Sequence, residues 1–298
     1  MIRKDFIRTA SILLGSSVLP LDFVKDLRSS STTLKKGIGY AMIKEDLSVL
    51  DKFKLVKDLG FDGIEINSPT DLNIKELVYA VEQTGVTIPS TVNKDHWAVP
   101  LCSNDPLVRQ QIIQSIGDSL EQTKILGGDT VLVVPGVVNE NMSYERAYNN
   151  TLIAVQELIP LVEKTGVKIG FENVWNNFII SPIEAKQFLE EINHPLIGWY
   201  FDIGNVMRYG WPEHWLETLD DKVFKLHAKE FSITKMNNEG LRKGFNVEFG
   251  EGDINWSNVM QKIRDINYGG EWVTLELGAG DRAYLQGLST KLDFIINN

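Results

Sequence analysis

From residue 37 onward the chain alternates short apolar runs with longer amphipathic stretches, and it does so eight times. The runs are rich in Val, Ile, Leu and aromatic residues and fall at 37–42, 62–67, 87–93, 129–135, 168–173, 197–202, 223–228 and 272–277. Such runs, bounded by turn residues, read as strands. Residues 47–59, 106–126, 144–164, 182–192 and 256–266 carry helical periodicity, with Asp46, Asp105 and Ser143 placed as N-caps and Gly60, Gly85, Gly127 and Gly166 as C-terminal stops. Strands that alternate with helices imply an α/β fold with a parallel sheet, and eight such units close into a single (β/α)8 barrel. An open doubly wound sheet is the competing arrangement. Its dinucleotide-binding version is unsupported, because no Gly-x-Gly-x-x-Gly follows the first run.

The barrel is expected over residues 37–298, after a different N-terminus. Arg3, Lys4 and Arg8 precede a short apolar stretch from Ile12 to Leu19, the pattern of an export signal over residues 1–24. The run Arg3-Lys4-Asp5-Phe6-Ile7-Arg8 is twin-arginine-like with Lys at the second position. A polar linker over 25–36 would follow, so the reading is a periplasmic or exported protein, with a cytoplasmic one as the alternative. No apolar run is long enough for a membrane span. The formal net charge of −10 argues against nucleic acid as a partner. The single Cys102 excludes an intrachain disulfide and any multi-cysteine metal site. A small carbohydrate is the partner this composition leaves open, and it is compatible with a homo-oligomer. Residues 229–255 break the rhythm as a long polar insertion after the seventh strand. Phe231, Phe245, Phe249 and Trp256 mark it as a packed loop over the catalytic face.

Strand alternation picks out the chemistry. Barrel strands send successive side chains alternately inward and toward the helices. If Ile169 and Phe171 face the helices, Glu172 points in; the same count turns Asp202, His227 and Glu276 inward at the ends of strands six, seven and eight. These ends form the face where barrel enzymes carry their active sites. Three carboxylates and an imidazole at close range demand a cation, and hard oxygen and nitrogen donors suit one divalent metal ion, Mn, Zn, Co or Mg. A metal beside two glutamates suits proton transfer next to a sugar carbonyl through an enediolate, with Glu172 and Glu276 as acid and base.

At these positions the sequence resembles the sugar phosphate isomerase/epimerase family, the xylose isomerase-like TIM barrels. The resemblance rests on Gly63-Ile64-Glu65, Phe171-Glu172-Asn173, Phe201-Asp202-Ile203-Gly204-Asn205, Leu226-His227-Ala228-Lys229-Glu230, Gly250-Glu251-Gly252-Asp253-Ile254-Asn255-Trp256 and Thr274-Leu275-Glu276. It looks closest to members related to L-ribulose/L-xylulose-5-phosphate 3-epimerases. It implies Glu172, Asp202, His227 and Glu276 as metal ligands and a metal-dependent sugar isomerase or epimerase acting on a ketose or ketose phosphate. Three departures stand out. Asn205 replaces a histidine common in ketose 3-epimerases, Ile233 replaces an arginine, and Glu230 replaces the aspartate of His-x-Lys-Asp.

Glu65, Asn93, Trp97, Asn173, Trp175, Asn205 and Lys229 are the expected substrate-binding residues, with Lys229 the cation best placed for a phosphate or an enediolate oxygen. His96 reads as an ordinary loop histidine and Lys225 as a buried ion-pair member. The same base and metal could instead expel a β-hydroxyl or a glycoside, as a sugar dehydratase or lyase would. A non-catalytic sugar-binding barrel would lack a ligand or a base, and none is missing. A three-zinc apurinic-site endonuclease would need more than the four histidines present.

Overall fold

The computed structural model describes residues 33–298; the expected export signal and most of the linker lie outside them. Eight parallel strands close into one barrel in sequence order. They are β1 (Lys35–Gly39), β2 (Gly63–Ser68), β3 (Ser90–Asn93), β4 (Thr130–Val133), β5 (Lys168–Glu172), β6 (Ile197–Asp202), β7 (Val223–Ala228) and β8 (Trp272–Leu275). β1 starts at Lys35, inside the segment assigned to the linker, because Lys35 pairs with Trp272 and joins β8. Among the described residues, no helix is long and apolar enough to cross a membrane.

The surrounding helices are α1 (Val49–Asp58), α2 (Ile74–Thr84), α3 (Pro106–Ile125), α4 (Tyr144–Thr165), α5 (Pro182–Ile192), α6 (Pro212–Leu219), α7 (Ile233–Glu239), α8 (Trp256–Asp265) and α9 (Arg282–Asn297). Their ends carry local signals. Asp105 accepts from Leu107 N and Ser143 from Arg146 N, each satisfying a helix-start amide. Asp46 does not cap α1; Ser48 does, accepting from Asp51 N, so the helix begins later than its periodicity suggested. The outward residues of β5 and β6 form the core against the helices. Phe171 meets Phe188 edge-on, and Phe201 stacks on Trp215.

The insertion after β7 is packed against the barrel mouth. It contains α7 and a 3-10 turn over Leu241–Phe245. Phe231 and Phe245 contact each other and both contact the Trp175 ring. Ile233, one of the three departures noted in the sequence, is the first residue of α7 and packs on the core. Glu230 fastens the base of the insertion. Its buried carboxylate accepts from Phe231 N at 3.0 Å, Gly250 N at 2.8 Å and Trp256 Nε1 at 2.8 Å. Gly252 lies so close that a Cβ there would fall 2.4 Å from Glu230 Oε1. Removing that carboxylate leaves three donors unpaired in a buried place. Glu230→Ala is therefore expected to lower the unfolding free energy by about 3 kcal/mol in denaturant titration; an unchanged midpoint would refute this role.

Candidate functional site

Glu172, Asp202 and His227 stand at or near the C-terminal ends of adjacent strands β5, β6 and β7, and Glu276 follows the last residue of β8. Register brings Asp202 level with His227. One ligand atom from each of the four residues lies within 4.8 Å of the other three. Glu172, Asp202 and His227 are buried, whereas 48% of the Glu276 side chain is exposed toward the opening of the barrel. His227 Nδ1 faces this cluster, 3.3 Å from Glu172 Oε1 and 3.2 Å from Glu276 Oε2. Lys229 Nζ sits on its rim, 3.1 Å from Asp202 Oδ2 and 2.8 Å from Glu276 Oε2.

The electrostatics are those of a site short of positive charge. Burial pushes the Glu172 carboxyl up to about 7, and the charges of Glu276 and Asp202 add to it against the His227 hydrogen bond. Burial also raises Asp202, with Lys229 opposing. For Glu276, desolvation is outweighed by the Lys229 ammonium and by His227, which hold it well below the usual carboxylate range. His227 is driven well above its ordinary value: burial works against the charge, but Glu65, Glu276 and Glu172 surround it. Asp202 Oδ2 is buried with the Lys229 ammonium 3.1 Å away, but no donor is aligned to hydrogen-bond it. Four carboxylates, Glu65, Glu172, Asp202 and Glu276, thus face one ammonium and one imidazole. A divalent cation fits this donor set, because it supplies charge and coordination that the side chains lack.

A hydrogen-bonded chain lies behind the cluster. Glu65 Oε2 is 2.7 Å from His227 Nε2, and Glu65 Oε1 accepts from Tyr200 Oη at 2.5 Å and Ser90 Oγ at 2.8 Å. Ser90, Tyr200 and Glu65 all occupy inward positions of their strands. With Nε2 engaged by Glu65, the nitrogen left to coordinate is Nδ1, the one that faces the three carboxylates. His227 and Tyr200 also pack ring against ring, with centroids 4.5 Å apart.

The expected substrate-binding residues divide. Glu65 and Lys229 stand at the cluster. Asn93 does not: its amide donates to Ser115 and Ser119 of α3, on the helix side of β3. Asn173 is likewise used by the scaffold, donating to Asp202 O and accepting from Trp199 Nε1 and Asp202 N. Asn205 donates to Asn173 O, and its backbone N–H holds Asp202 Oδ1 at 2.7 Å. Trp175 donates to Asn205 O, and its ring is packed beneath the insertion with the Arg208 guanidinium over it. Trp97 is 56% exposed beyond the mouth.

His96 lies in the turn after β3, the loop position expected of it, and its ring is buried there. Its Nδ1 accepts the Val134 N–H at 3.3 Å, which leaves the proton on Nε2. Burial pushes its pKa down to about 4, so the ring is neutral near pH 7 despite the charges of Glu276 and Asp95. Lys225 pairs with Asp129 at 2.9 Å at the opposite end of β7. A cavity of about 630 Å³ opens from Glu65 and Glu276 across the ends of β1, β2 and β3.

Carboxylates that orient metal-binding histidines contribute to affinity without touching the ion. Glu65→Gln is expected to weaken Mn(II) or Zn(II) binding about ten-fold in calorimetric titration while retaining one ion per chain. Unaltered affinity would remove Glu65 from this role.

Residues 53–295 match the model of a family described as xylose isomerase-like TIM barrel. An uncharacterized protein of Methanocaldococcus jannaschii is 28% identical over 232 residues, covering 75% of this chain and 77% of its own. The L-ribulose-5-phosphate 3-epimerase UlaE of Salmonella typhi is 24% identical over 241 residues, covering 75% and 80%. Among solved structures, the apo form of the E. coli 3-keto-D-glucoside 4-epimerase YcjR superposes with a TM-score of 0.74 at 19% identity, over 89% of this chain and all of that one. A D-tagatose 3-epimerase-like protein gives 0.73 at 23% identity, over 89% and 98%. With its closed eight-stranded barrel and a family match spanning most of its length, this chain belongs to the xylose isomerase-like TIM barrel family.

Proposed function

We propose that this protein is a divalent-metal-dependent sugar isomerase or epimerase that moves a proton on the carbon beside the carbonyl of a ketose or ketose derivative. One observation carries the reading: the ligand atoms of Glu172, Asp202, His227 and Glu276 converge within 4.8 Å, and three of the four side chains are buried. Two of the relatives named above, UlaE and YcjR, are sugar epimerases, which favours the same class of reaction for this site.

Glu172, Asp202, His227 and Glu276 would hold the ion, which when bound polarises a carbonyl and its neighbouring hydroxyl. Glu172 and Glu276 come from strands three apart in the ring, so they approach a substrate between them from different sides. One removes the carbon-bound proton and the other returns a proton to the opposite face, as general base and general acid. Lys229, 2.8 Å from Glu276, keeps that carboxylate ionised and offers a donor to a developing oxyanion. His227 serves as a ligand, oriented by Glu65 from behind. The insertion carrying Phe231 and Phe245 covers this side of the mouth and limits the access of water.

Metal analysis and isotope exchange test this reading together. The wild type should bind one divalent ion, and Glu172→Gln or Glu276→Gln should cut turnover by about 10³-fold or more, since each loses a proton carrier and a ligand. In D2O, one deuteron should enter the carbon beside the carbonyl across a panel of free ketoses, ketose phosphates and 3-keto-glycosides. Exchange accompanied by loss of water or an alcohol would reassign the site to a lyase. A chain that binds no metal through these four residues would overturn the proposal.

A further inference from the structure

The cavity beside the cluster has a lining unlike that of the metal-binding half. It starts at Glu65 and Glu276 and runs outward along Tyr40, Asn67, Thr70 and Lys94. Its volume of about 630 Å³ lies mid-way in the range of about 300–1,000 Å³ that encloses drug-sized ligands, well beyond what one monosaccharide ring fills. Apolar surface from Met42, Leu72 and Leu277 alternates with amide, hydroxyl and ammonium groups. That alternation suits a pyranose, whose C–H faces and rim hydroxyls alternate in the same way. The Asn67 side chain has no hydrogen-bond partner among the described residues, and it follows Glu65 by two on β2, so it points to the same side of the strand.

Charge decides what that occupant is. A phosphate dianion needs clustered cations or a free helix N-terminus. In this cavity Lys94 is the lone ammonium, already 3.5 Å from Asp71, and Glu65, Glu276 and Asp71 outnumber it. The other place where barrels hold phosphate is the set of loops after the seventh and eighth strands with the adjoining helix N-terminus. Here the N-terminus of α9 is capped by the Asp281 carboxylate, which accepts from Tyr284 N at 3.0 Å and repels an anion.

We infer that the cavity beside Glu276 is a second sugar subsite, taking the uncharged distal ring of a glycosylated ketose or keto-glycoside while the reacting carbons lie at the four-residue cluster. The inference rests on the function proposed above for that cluster. The reacting unit is placed against Glu172 and Glu276, and the distal ring lies across the ends of β1, β2 and β3. Asn67 and Thr70 meet its hydroxyls, and Tyr40 meets its apolar face.

Calorimetry on the full chain with added Mg2+ separates the possibilities. The probes are fructose, fructose 6-phosphate and the ketose disaccharides turanose, maltulose and palatinose, which carry the second ring on different hydroxyls. At least one disaccharide should bind about ten-fold more tightly than fructose or fructose 6-phosphate. Asn67→Trp, which fills the cavity, should erase that advantage, and the milder Asn67→Ala should reduce it. One bound metal ion per variant chain reports that the cluster is intact. Tighter binding of fructose 6-phosphate, equal binding of all probes, no binding of any, or a disaccharide preference untouched by both substitutions would overturn the subsite. Loss of metal binding in the wild type with the disaccharide preference retained would instead sink the metal-dependent reading and leave the subsite standing.

Discussion

The mutual repulsion of Glu172, Asp202 and Glu276 is the constraint around which the mouth of this barrel is organised. Two carboxylate charges at the outer limit of their 4.8 Å spacing repel by roughly 3 kcal/mol at an effective dielectric of about 20. Burial of Glu172 and Asp202 adds a desolvation cost to each. The protein answers with Lys229 at the rim, 3.1 Å from Asp202 Oδ2, and His227 in the middle, and the carboxylates still outnumber them. A divalent cation would balance this charge, and the neighbouring elements hold the four side chains where one could bind.

Two devices keep the ligands in place. On one side Asn173 ties the end of β5 to the backbone of Asp202, while Asn205 ties back to Asn173 and caps Asp202 Oδ1. On the other, Glu65 fixes the ring of His227 and is itself held by Tyr200 and Ser90. The polar side chains nearest the ligands are therefore consumed by the scaffold. Asn205, Ile233 and Glu230, the departures noted in the sequence, read the same way: each side chain contributes to packing or anchoring.

The alternation of side chains along strands accounts both for what could be read in advance and for what was misread. Counting by two from Ile169 and Phe171 puts Glu172 inward, and the same count places Asp202, His227 and Glu276. Applied one residue further, it turns Asn173 to the helix side; applied to β3, it turns Ser90 inward and Asn93 outward. Asn93 and Asn173 were thus misassigned by proximity to a strand end, against a rule that was available. Tyr200 shared the parity of Asp202 and could have been found the same way. Other features had no local signal. Trp175 is partly covered by phenylalanines some fifty residues and more away in the chain, the burial of His96 depends on the backbone just past β4, and Ser48 outcompetes Asp46 through the geometry of one turn. The cavity is walled by loops after β1, β2 and β3, whose residues follow no periodic pattern.

The site is thereby divided around the ring. β5 to β8 supply the charged cluster, and their side chains are locked by hydrogen bonds that cross from strand to strand. β1 to β3 supply the open cavity, lined by residues with few internal obligations, such as Asn67. Changes on the first side disturb charges that balance one another and carry a large penalty; changes on the second alter shape and hydroxyl recognition without touching that balance. Glu65 and Glu276 are the only cluster residues that also line the cavity. Glu65 reaches the cluster through His227, and Glu276 faces both the cluster and the cavity. In the proposed reaction, any influence of the distal part of a substrate on the proton transfer would pass through these two carboxylates, and Glu276, the more exposed of the pair, is the more direct route.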